Sequence, residues 1–281
     1  MEFIRFITIS NLILVAGIVL FTSWLLRTSL GKNALADSVP RRNDMPIYLP
    51  FIVLFLALQF VPVTAQVVIN IIGNLPKWQN IFLNNLIIGI GEIISIILIV
   101  ILAWIHFPRR LNGFGLNIKT IFRDFCAAAV NLLAVWPLIV AATLVTVSIG
   151  ELISGKEYHL QQHEQLKTIS ENPQLPLQIT VIVVAVVIAP LLEEMLFRGL
   201  FQTMLRSLIQ SFTQTRYAAW LAILVSSVLF VFAHVNTGHW PALFVLAACL
   251  GYSYEKSGSL LRPIFIHAIF NAISIITTLS Q

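Results

Sequence analysis

Apolar residues run along the chain in blocks of about twenty, broken by Pro, Gly and clusters of charge; an α-helix needs a block of about that length to cross the hydrocarbon core of a bilayer. The blocks predict eight helices, near residues 4–26, 49–72, 81–106, 124–149, 178–209, 217–235, 240–254 and 260–279. The expected fold class is therefore all-α, a polytopic transmembrane helix bundle. The first block, Phe3 to Leu26, is long enough to span, and no convincing small-residue cleavage site follows it, so it is expected to be a retained helix. Three parts follow from the spacing: an N-terminal four-helix region (1–150), a polar loop (151–176) and a C-terminal helical region (177–281).

Composition agrees with the pattern. The 281 residues are 58% hydrophobic and only 10% charged, against about a quarter charged in soluble proteins. The basic residues sort by loop. Arg27, Lys32, Arg41 and Arg42 lie in the first loop, Arg109, Arg110, Lys119 and Arg123 in the third, Arg198, Arg206 and Arg216 in and beside the fifth, and Lys256 and Arg262 in the seventh. These make thirteen of the 17 Lys and Arg, and basic residues accumulate on the cytoplasmic side, so both termini are expected outside. The net charge of +5 thus reports topology, and no nucleic-acid partner is implied. Leu111 to Asp124 alternates apolar and basic residues and reads as a short interfacial segment. Cys126 and Cys249 have no paired spacing and are expected as small core residues.

A few positions break the apolar blocks in ways that ask for chemistry. Glu193, Glu194 and Arg198 sit in the fifth helix, where each unpaired charge costs about 2.5–3.5 kcal/mol to insert. Glu194 and Arg198 are i, i+4 with the acid first, the favourable order for an ion pair, which leaves Glu193 over. A carboxylate kept in a low-dielectric cavity suits a general base acting on water; a helix–helix ion-pair clasp is the plainer alternative. Phe230 and His234 share one face of the sixth helix, and His267 and Asn271 share one face of the eighth. Glu92 interrupts the third helix, either lining a cavity or hydrogen-bonded beside Gly89 and Gly91 at a helix contact. His159 and His163 in the polar loop have i, i+4 spacing but polar neighbours, and are read as a solvated linker; His239 is expected as a cap or interface residue.

Taken in order, Glu193-Glu194-x-x-x-Arg198, Phe230-x-x-x-His234 and His267-x-x-x-Asn271 resemble the three motifs of the CPBP intramembrane protease family, which includes the eukaryotic CAAX prenyl endopeptidase Rce1 and bacterial Abi proteins. Phe197-Arg198-Gly199 and Tyr254 to Leu260 agree with it as well. The resemblance covers roughly Leu177 to Ile276 and leaves the first four helices unmatched. It implies peptide-bond hydrolysis within the membrane, with Glu193 and His234 activating water, His267 and Asn271 donating to the oxyanion, and Glu194, Arg198 and Phe230 in support. The family is often labelled metalloprotease. No cofactor is expected here, because His-Glu-x-x-His is absent and Asn is a poor zinc ligand; if zinc is bound, His234, His267 and Glu193 would hold it.

The expected partners are the lipid bilayer and a membrane-bound protein or peptide substrate, the expected location an integral multi-pass one (the cell membrane, if the source is bacterial), and the expected opening cytoplasmic. Two other readings stay open. One is a non-catalytic scaffold or bacteriocin-immunity-type protein; the other is a transporter with Glu92, Glu193 and the histidines as a relay, for which no inverted repeat is seen. Helix rise sets one difficulty: a straight sixth helix starting at Tyr217 carries His234 about 25 Å up, past the depth of Glu193.

Overall fold

In the computed structural model, which describes residues 2–73, 75–213 and 215–280, the chain is an all-helical bundle. Its elements are α1 (Glu2–Arg27), α2 (Leu49–Ile72), α3 (Lys77–His106), a short α4 (Arg110–Phe114), α5 (Ile121–Ser154), a short α6 (Glu164–Glu171), α7 (Leu175–Gln210), α8 (Thr215–Phe232), α9 (Trp240–Ser257) and α10 (Leu261–Leu279). Eight of these are long, at the places the apolar blocks predict. Six are long and apolar enough to cross a membrane: α2, α3, α7, α10, α1 from Ser10, and α5 with the turn before it. The protein is thus an integral, multi-pass membrane protein.

The interfacial segment expected at 111–124 is divided. It forms the single helical turns of α4, a 3₁₀ turn at Ile118–Thr120, and then the start of α5. Ile118 and Phe122 project outward at 82% and 78% exposure, beside Lys119 and Arg123, as an interfacial segment requires. Cys126 is exposed on α5 and not in the core as expected, while Cys249 is partly buried. The bundle's lipid-facing flank is apolar here, so a small thiol is tolerated outside as well as inside.

Prolines shape the long helices. Pro62 in α2 and Pro190 in α7 each follow a π-helical segment, Leu56–Phe60 and Val184–Ile188. In each segment the last closing bond spans five residues, Val61 N–H to the Leu56 carbonyl and Ala189 N–H to the Val184 carbonyl. The next residue is proline, which has no N–H, so the carbonyls of Ala57 and Ala185 lose the helix donor they would otherwise take. Pro137 in α5 likewise deprives the Leu133 carbonyl, and α1 crosses there at Gly17, where any side chain would strike that carbonyl and the Pro137 ring.

The helices close at the end that carries the basic loops. Arg206 Nε donates to Glu255 Oε1 at 3.0 Å, Gln202 Nε2 reaches the Gly251 carbonyl at 3.0 Å, and Arg41 from the first loop donates to the Tyr254 carbonyl at 2.8 Å. The Arg41 guanidinium also lies 3.4 Å over the Tyr254 ring. Tyr254 donates to the Phe114 carbonyl, and Asp124 is held by Ser259 and Arg262 at 2.6 and 3.0 Å. Gly199 must be glycine at this level, because the Phe114 ring occupies the space its side chain would fill.

Candidate active site

Three long helices bring the polar residues to one place. α7 carries Glu193, Glu194 and Arg198, α10 carries His267 and Asn271, and His234 stands just past the end of α8. Below Glu193 the helix widens into a π segment, Met195–Gln202. Such segments concentrate at functional sites because they rotate neighbouring side chains out of the α-helical register.

Glu194 and Arg198 are both fully buried and paired at 3.1 Å, the i, i+4 contact expected from their spacing. Arg198 also donates to Ser226 at 2.8 Å, and its guanidinium lies 5.2 Å from the Phe230 ring centre. Glu194 has a second partner that its spacing did not reveal: its other oxygen lies 3.0 Å from His267 Nδ1. A carboxylate at that distance places the proton on Nδ1 and turns Nε2 toward the neighbouring side chain. His234 is fixed in the same way, with Nδ1 2.8 Å from the Phe230 carbonyl. The indole N–H of Trp240 in turn donates to the His234 carbonyl at 2.9 Å.

Both Nε2 atoms consequently face Glu193. Its Oε2 is 3.9 Å from His234 Nε2 and 3.9 Å from His267 Nε2, and is buried without a hydrogen-bond partner. The Glu193 side chain as a whole keeps 28% of its surface, whereas that of Glu194 keeps none. Two adjacent acids therefore occupy opposite situations. Phe230 closes one wall, with its ring centre 4.6 Å from that of His234 and 5.8 Å from that of His267.

His234 reaches the depth of Glu193, against the estimate for a straight sixth helix. α8 ends at Phe232, His234 lies in the turn beyond it, and α9 has only 18 residues, so the turn is drawn down into the bundle. Asn271 is placed differently from the other three. Its Nδ2 donates at 2.8 Å to the Ala185 carbonyl, the one released by Pro190. Glu92 on α3 is a residue left ambiguous by sequence. Its Oε2 is buried without a partner and it lies within electrostatic reach of Glu193, while Gly89 and Gly91 beside it pack on Val184 and Val61. A concavity of about 450 Å³ between Ile18 and Arg27 of α1 contains none of these residues.

Residues 175–273, about a third of the chain, match the family model of the Type II CAAX prenyl endopeptidase Rce1-like proteins. This region is Rce1-like. The Rce1-like region spans α7 to α10 and contains all four residues of the cluster. No curated protein and no solved structure matches the chain.

A catalytic zinc would need about three of these side chains as ligands. Among the described residues no group of three or more His, Cys, Asp or Glu is arranged to hold a metal ion. Zinc bonded at about 2.0–2.1 Å would draw its tetrahedral ligand atoms to within about 3.4 Å of one another. The 3.9 Å separations from Glu193 Oε2 are more open than that. They are also narrower than the roughly 4.6 Å set by a water with two hydrogen bonds of about 2.8 Å at a tetrahedral angle.

Proposed function

We propose that the protein is an intramembrane endopeptidase that hydrolyses a peptide bond of a membrane-associated protein or peptide with water activated by Glu193, without a metal. The observation that carries this reading is the unpaired, buried Glu193 Oε2 facing two histidine nitrogens whose opposite nitrogens are already held. A water among these three atoms meets three acceptors if both imidazoles are neutral, yet it has two protons. A second proton on one imidazole removes the surplus acceptor. His267 is the one placed for it, because Glu194 accepts from Nδ1 and Glu193 lies toward Nε2.

The reaction then balances with this chain's own groups. Water donates one proton to Glu193 and a hydrogen bond to His234 Nε2, and its oxygen attacks the peptide carbonyl. His267 Nε2–H donates to the oxyanion, in a site from which bulk water is largely excluded and where such a donor is worth about 10²–10³ in rate. The C–N bond breaks as Glu193 returns its proton to the leaving amine. Asn271 gives one Nδ2–H to the Ala185 carbonyl and so holds α10 against α7; the amide keeps a second N–H that an oxyanion can take.

The test is cleavage of a prenylated or transmembrane peptide by purified protein, with and without exhaustive chelation, alongside the Glu193→Gln variant. Retained cleavage after chelation and its loss in the variant support the reading. A correctly folded wild-type protein that cleaves none of a broad panel of such peptides would favour the scaffold reading.

A further inference from the structure

The turn that presents His234 has few anchors of its own. The Ala233 and His234 amides close α8, on the Leu229 and Val231 carbonyls, and α9 does not begin until Trp240. Val235 is 98% exposed, so no apolar side chain at that point fastens the turn to the bundle. Asn236 Oδ1 accepts from the Gly238 amide at 3.3 Å, and the Trp240 indole donates to the His234 carbonyl. The bond of His234 Nδ1 to the Phe230 carbonyl fixes the rotation of the ring and leaves the backbone that carries it to be held by other means.

The remaining anchors come from the polar loop between α5 and α7, read from sequence as a solvated linker. The Gln161 carbonyl accepts from Asn236 Nδ2 at 3.1 Å and from His239 Nε2 at 2.8 Å, so both of its lone pairs are engaged by one turn. Leu160 and Tyr158 lie against Gly238 of the same turn. His239 occupies the N-cap position of α9, yet its side chain makes no cap bond and reaches Gln161 instead.

The loop is itself fixed at both ends. The Tyr158 ring fills the space over Gly150 near the end of α5. Beyond Gln161, α6 is pinned through Ile169, which packs with Leu177 and Val181 of α7 and Ile275 of α10, and Gln178 Nε2 donates to the Ile169 carbonyl at 3.2 Å. Residues 158–169 therefore brace the turn against α5, α7 and α10. Glu193 stands on α7 and His267 on α10, so the brace ties His234 to the helices that carry its two neighbours in the site.

We propose that Asn236 and His239 are positioning residues for His234: by docking the turn on the Gln161 carbonyl they set the place of the His234 imidazole relative to Glu193, and through it the rate of water activation. The catalytic part rests on the proposed hydrolysis, whereas the placement of His234 does not.

The test uses the whole chain and reads the state of His234 apart from catalysis. Asn236→Ala with His239→Ala removes both donors; Asn236→Ala with His239→Gln keeps one, because a glutamine amide can donate close to where the imidazole Nε2 stands. Kinetics on a prenylated or transmembrane peptide are measured beside the C2-hydrogen exchange of each histidine, followed by mass spectrometry. In the double-alanine protein kcat should fall by about 10–10²-fold, the scale of a misplacement of about 1 Å, with KM little changed. His234 should exchange several-fold faster while His267 keeps its wild-type rate, and the glutamine variant should recover most of both effects. An unchanged kcat, unchanged exchange at His234, equal acceleration at His267 or no recovery with glutamine overturns the inference. The single variants His239→Ala and His239→Gln repeat the comparison should the double variants misfold. If the wild-type protein cleaves no peptide, the hydrolytic reading fails, and the exchange rates alone decide whether the loop places His234.

Discussion

The bundle from α7 to α10 contains two polar clusters built from similar residues and held by the same helices. In the one nearer the basic loops, each oxygen of Glu255 has a partner: Oε1 takes Arg206, and Oε2 takes Gln202 at 3.4 Å with Arg41 at 3.9 Å. In the other, Glu194 is as fully paired as Glu255, but Glu193 beside it leaves a buried oxygen without a bond. Burying a polar atom without a partner costs roughly 1–3 kcal/mol, more for a charge, and a protein selected only for stability would remove it. Satisfaction of hydrogen bonds therefore separates Glu194 and Glu255 from Glu193, where residue type and depth do not; Glu92 on α3 shares the unpaired state of Glu193.

The largest effect expected from breaking this contrast is at Glu194. Glu194→Ala strands the buried Arg198 and frees the His267 ring, so it should lower folding stability by about 3–5 kcal/mol and abolish cleavage together; thermal unfolding in detergent and the peptide assay read the two. Exchanging Glu194 and Arg198 should restore little, because arginine at 194 would face His267 where a carboxylate is needed.

Next comes the structural cluster itself. Glu255→Ala leaves Arg206 buried without that carboxylate and should cost several kcal/mol of stability, while the protein that does fold keeps its turnover number per active molecule. A fall in turnover at unchanged stability would show that the two clusters are not separate in function.

A smaller effect is expected from Asn271→Ala. It leaves the Ala185 carbonyl without its donor, at about 1–3 kcal/mol, and loosens α10 against α7. If the residue only positions α10, turnover should fall by less than the roughly 10²–10³ associated with losing an oxyanion donor. The smallest is Glu92→Gln, which keeps shape and hydrogen-bonding capacity. It should leave stability near wild type and shift the pH profile of cleavage, since Glu92 and Glu193 feel each other's charge. An unchanged profile would confine Glu92 to packing.

Much of this was readable in the chain because it is written in short-range spacing. The eight apolar blocks set the helices, and Glu194 with Arg198 at i, i+4 is a contact that the helix itself imposes. The partners that cross between helices were not readable: Glu194 with His267, Arg206 with Glu255, and Asp124 with Ser259 and Arg262 depend on packing angles that no local pattern encodes. The depth of His234 does not follow from a straight helix counted from Tyr217, because α8 ends at Phe232 and the turn beyond it, tied to the short α9, lies within the bundle. Pro62 and Pro190 were the missed local signal. A proline inside an apolar block frees a carbonyl, and at Ala185 that carbonyl became the anchor for Asn271. The docking of Gln161 on the turn after His234 was hidden for the opposite reason, since polar residues near a membrane surface look solvated whether or not they pack on a neighbouring loop.

The central claim is that Glu193 is kept unpaired for chemistry while Glu194 and Glu255 are paired for stability. Thermal unfolding and peptide cleavage of Glu193→Gln, measured on one preparation beside wild type, test it most directly. The account predicts a melting temperature at or slightly above wild type, because the exchange removes a buried charge without breaking a hydrogen bond, and cleavage reduced by at least the 10²–10⁴-fold that a general base contributes. Cleavage near the wild-type rate, or a loss of stability as large as that of Glu255→Ala, would contradict it.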